Sequence, residues 1–64
     1  VAPEHDIWLA AALAIRHYGE NAEAEAARRA DLMLKRGDCD GQSLWLQIRR
    51  AIAELQAAPS GPVN

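Results

Sequence analysis

The run Ile7-Trp8-Leu9-Ala10-Ala11-Ala12-Leu13-Ala14-Ile15 constrains this chain more than any other feature. It holds nine consecutive apolar residues, and no other run in the 64 residues matches it. At ~100° per residue, Ile7, Ala11, Ile15 and Tyr18 form one line with Trp8 beside it, while Leu9 and Leu13 fall nearly opposite. A helix apolar on two sides needs at least two neighbours, so the remaining segments should pack around it. The run is far shorter than the ~20 residues of a membrane span. Its leader carries Glu4 and Asp6 rather than lysines, unlike a signal peptide.

Short length sharpens the constraint. A single core in a 64-residue domain supplies only ~3–5 kcal/mol. One cysteine excludes an intrachain disulfide, and with only His5 and His17 it cannot build a zinc site. No metal or cofactor is expected. A lone thiol fits a reducing cytoplasm. Seven basic residues against nine acidic ones, net −2, argue against nucleic-acid and anionic-membrane partners.

The remaining signals are helical. Pro3 suits a first turn, Glu4 and Asp6 complement the macrodipole, and Gly19 can close the helix in αL geometry. The first helix is therefore expected over about 3–18. Asn21 is a candidate N-cap for a second helix over about 22–36, closed by Gly37. Its apolar line is Ala22, Ala26, Ala30 and Met33, flanked by Ala27 and Leu34. Glu25 can reach Arg28 and Arg29, and Asp31 can reach Lys35. Asp38 or Asp40 can cap a third helix over about 41–58, ended by Pro59. Here Trp45, Ile48, Ile52 and Leu55 alternate by three and four. Short loops predict an all-α domain over 1–58, a small up-down-up three-helix bundle, with a disordered C-terminal tail at 59–64. The expected core anchors are Trp8, Ile15, Trp45, Ile48, Ile52 and Leu55.

Candidate sites give no catalytic centre. Cys39 stands at the entrance to the third helix, but Asp38 and Asp40 disfavour its thiolate. An EF-hand starting at Asp38 would need glycine at Ser43 and glutamate at Arg49. His5 and His17 lie about 18 Å apart along one helix and cannot share a metal or proton. The basic pairs Arg28-Arg29, Lys35-Arg36 and Arg49-Arg50 invite comparison with a helix-turn-helix. Yet Asp38 and Asp40 would lead the recognition helix toward the phosphates. Leu9, Leu13, Leu32 and Leu46 fall off the main apolar lines. Either a second neighbour within the monomer walls off Leu9 and Leu13, with Leu32 and Leu46 partly exposed, or the four are the candidate interface, for a homodimer or for a partner helix.

Taken together, Asp6-Ile7-Trp8, Ala10-Ala11, Gly19, Ala22, Arg29-Ala30-Asp31, Gly37-Asp38, Gly41-Gln42, Trp45, Ala51-Ile52 and Glu54-Leu55-Gln56 resemble a family of short, uncharacterised helical proteins of alphaproteobacteria. The resemblance covers residues 5–56. It implies a bacterial, cytoplasmic protein and supplies no catalytic residues. The expectation is a non-enzymatic helical protein-interaction module that includes homodimer formation. The alternative is a small nucleic-acid-associated regulator using Arg28/Arg29 and Arg49/Arg50.

Overall fold

A computed structural model describes residues 4–57. They are all-helical: α1 spans Glu4–Tyr18, a 3₁₀ turn covers Gly19–Asn21, α2 spans Ala22–Lys35, and α3 spans Cys39–Ala57. The expected start at Pro3, the end at Ala58 and the tail 59–64 lie outside the described residues. No helix among the described residues is long and apolar enough to cross a membrane.

Helical turns follow one another from Glu4 to Lys35, interrupted at Gly19, which redirects the chain. Its φ of +57° lies in the left-handed region, which a side chain would strain. Asn21 precedes α2 without making a side-chain cap. The 3₁₀ turn supplies the acceptor instead, since the Ala22 N–H donates to the Gly19 carbonyl. Gln56 Nε2 donates to the same oxygen at 2.9 Å, tying the last turn of α3 to the corner.

The second corner is built from Gly37 and Asp38. With Gly37 at φ +77°, its N–H donates to Leu34 O at 3.0 Å and the Asp38 N–H donates to Met33 O at 2.8 Å. This pair of bonds is a Schellman closure of α2. The Asp38 carboxylate then accepts from the Gly41 N–H at 2.8 Å, which makes Asp38 the N-cap of α3. Helix α3 consequently begins at Cys39, two residues before the expected start, and Asp40 falls inside its first turn. One residue ends α2 and starts α3.

The buried set is Ile7, Ala11, Ala22, Ala26, Ala30, Ile48, Ala51 and Ile52. Of the expected anchors, Ile48 and Ile52 are buried, and Trp8, Ile15 and Trp45 pack against the cluster half-buried. Leu55 is not an anchor. It is 42 % exposed, because it follows Ile52 by almost a full turn and projects past the last buried residue of α3. Tyr18, expected on the inner line of α1, is also exposed at the helix end.

Helices α2 and α3 share the most extensive contact, and α1 rests mainly on α3. Glu4, Ile7 and Trp8 line a groove with Gln47, Arg50, Ala51 and Glu54. Farther along α1, Ala14, His17 and Tyr18 adjoin Ala26, Arg29 and Trp45. These contacts seat the start of α1 against α3 and its end against the seam between α2 and α3. The contact residues explain how α1 lies across the α2–α3 pair. Ala11, Ala22, Ala26 and Ala51 have no bulk to hold it off, and interaxial distance follows the side chains at the crossing.

Candidate interaction surface

Helix α1 sorts its residues by direction. Ile7 and Ala11 are buried, and Trp8, Ala10, Ala14 and Ile15 are half-buried toward the rest of the chain. His5, Asp6, Leu9, Ala12, Leu13, Arg16 and His17 are all exposed. Leu9 is 51 % and Leu13 48 % exposed, one turn apart on the outer face. Covering that exposed half of both side chains would contribute roughly 1.5–3 kcal/mol.

Leu32 and Leu46 are also exposed, but they do not join that face. Leu32 belongs to α2, on the side of Arg28 and Arg29. Leu46 lies roughly 160° around α3 from buried Ile48. Of the four leucines, Leu9 and Leu13 share one face of one helix, while Leu32 and Leu46 stand on the other two helices.

Beside the outer face of α1 is a groove of about 250 Å³, walled by Leu13, Ala14, His17, Ala26, Arg29 and Trp45. A polar cluster rims it. Glu25 pairs with Arg28 at 2.7 Å and with Arg29 at 2.9 Å, at the expected spacings of three and four. Hydrogen bonds from Arg28 first, then Arg29, hold the Glu25 carboxyl below its ordinary range. Arg29 Nη2 donates to the Tyr18 hydroxyl at 3.2 Å. Its guanidinium also stands 5.2 Å from the Trp45 ring centroid, within cation–π range. Arg29 therefore links α1, α2 and α3. Only its Glu25 contact is readable from spacing, because the other two need the tertiary fold.

The remaining arginine pair is also engaged: Arg49 lies 3.6 Å from Glu23, and Arg50 lies 3.3 Å from Glu54. No Asp31–Lys35 pair forms among the described residues. Cys39 is an exposed free thiol at the start of α3. No three His, Cys, Asp or Glu residues group as metal ligands among the described residues. Comparison with protein-family models, curated proteins and solved structures finds no match to this chain.

Proposed function

We propose that this chain is a non-enzymatic helical protein-interaction module that docks through the outer face of α1, with homodimer formation included in that reading. One observation carries it. Leu9 and Leu13 stand half in water on successive turns, while the interior is made of alanines and isoleucines. Large apolar side chains placed outside a thin core favour association. The reading treats α1, α2 and α3 as a small three-helix bundle, and packing within each pair of these helices supports it. Membership of the alphaproteobacterial family and a cytoplasmic setting belong to the same proposal, on the resembling residues and the lone thiol. A nucleic-acid regulator has less behind it, since Arg28, Arg29, Arg49 and Arg50 each face a carboxylate.

The test is comparative cross-linking and affinity purification, with three baits at equal expression: wild type, Leu9→Glu/Leu13→Glu, and Leu46→Glu. A partner, including an untagged copy of the chain, should be retained by wild type and Leu46→Glu and lost with the α1 variant. Equal recovery by all three baits refutes the reading. Selective loss with Leu46→Glu moves the surface to α3.

A further inference from the structure

We propose that the outer face of α1 pairs with the same face of a second copy, the two α1 helices running antiparallel. This inference rests on the interaction reading above and names its partner. Asp6, Leu9, Leu13 and Arg16 follow one another at spacings of three, four and three. That is the stripe of alternate heptad positions from which a coiled-coil seam is built. All four are exposed along a helix whose other side faces the rest of the chain.

The charges select the orientation. Asp6 and Arg16 are equidistant from Ala11, and so are Leu9 and Leu13. Turning a second helix end over end about that centre stacks Asp6 on the partner's Arg16 and Leu9 on the partner's Leu13. Both sets then repeat by symmetry, which is the isologous contact of a two-fold dimer. A parallel pair would set Asp6 against Asp6 and Arg16 against Arg16, which is unfavourable at both ends. His5, Ala12 and His17 flank the stripe and are also exposed. The seam covers about three turns, so it belongs with small, readily reversible interfaces.

Sedimentation equilibrium of the full chain tests this, with far-UV circular dichroism confirming that each variant is folded. Wild type should associate reversibly to a dimer within the high-micromolar range. Asp6→Lys and Arg16→Asp each reverse two cross-interface pairs per dimer, so each should weaken association at least ~10-fold. Mixing those two variants should restore a heterodimer, and combining both changes in one chain should restore the homodimer. If a reversal disturbs α1, the milder Asp6→Asn and Arg16→Gln should still weaken association about 2–3-fold. A dimer indifferent to these charges but abolished by Leu13→Glu overturns the antiparallel seam and leaves the interaction reading standing. Preferential pairing of wild type with the doubly reversed chain would indicate a parallel seam and also overturn it. A wild type that stays monomeric overturns the inference, and the purification experiment then judges the interaction reading by itself.

Discussion

Replacing Gly41 by alanine should have opposite effects in two backgrounds. A Cβ at Gly41 would lie 2.6 Å from Asp38 Oδ2 and 2.9 Å from Met33 Sδ. The methionine sulfur sits toward the end of a flexible side chain and can move aside. The carboxylate can move only by giving up its 2.8 Å bond from the Gly41 N–H. Losing an aspartate cap costs about 1 kcal/mol, and displacing its charge from the helix start adds about 0.5 kcal/mol. Alanine at a helical position returns about 0.8–1 kcal/mol relative to glycine. Gly41→Ala should therefore destabilise the otherwise native chain by about 0.5 kcal/mol. In Asp38→Ala, which itself should cost about 1.5 kcal/mol, the obstruction is gone, and Gly41→Ala should stabilise by about 0.5–1 kcal/mol. The coupling between the two sites is then about 1–1.5 kcal/mol. Urea and thermal unfolding of the four chains, followed by circular dichroism at 222 nm, would measure it. For a domain of this size each kcal/mol corresponds to about 4–8 °C in Tm. Effects that add to within about 0.3 kcal/mol would refute the idea that the Asp38 cap excludes a side chain at Gly41.

Other perturbations probe the core and the polar rim. Ile52 is the largest fully buried side chain. Ile52→Ala should cost about 2–4 kcal/mol, enough to leave the chain largely unfolded at 37 °C in a calorimetric scan. Glu25 is held below its ordinary value of 4.5 when folded, so its contribution is complete above that value and disappears as pH falls through the lower folded one. Tm of the wild type should accordingly drop more steeply than that of Glu25→Gln between pH 5 and 3, and parallel curves would contradict the pairing. Arg29→Ala should lower stability by about 0.5–1 kcal/mol and alter Trp45 fluorescence. Arg29→Lys should retain only part of that effect, since it loses the planar fork that reaches Glu25 and Tyr18 together.

Both corners were legible in the sequence for a local reason. Gly19 and Gly37 adopt positive φ, which other residues rarely enter, so their positions alone marked the ends of α1 and α2. The start of α3 was less legible. Asp38 and Asp40 are equally good caps by type, and only the geometry that brings the Gly41 N–H to Asp38 separates them. Leu55 shares the periodicity of Ile48 and Ile52 yet is exposed, because periodicity marks a face without saying how far along it the cover extends. The bridges from Arg29 to Tyr18 and Trp45 join residues brought near only by packing. As for Leu9 and Leu13, the sequence left open an internal wall to cover them, and the fold leaves both half-exposed.

The alanine contacts add a second class of sensitive position to the usual one. In most small domains the damaging changes remove atoms from large core residues. Here Ala11, Ala22, Ala26 and Ala51 also occupy the contacts between helices, where an enlarged side chain should force backbone shifts costing about 1–3 kcal/mol. Trimming the exposed leucines, by contrast, removes little that the isolated chain relies on. A saturation library scored for folded protein would show losses at alanine-to-larger changes as deep as those at Ile48 and Ile52, and a flat profile at Leu9 and Leu13. Scored for association, the same library should show its losses at those two leucines, so the two screens would divide the sequence between what makes the fold and what the fold presents.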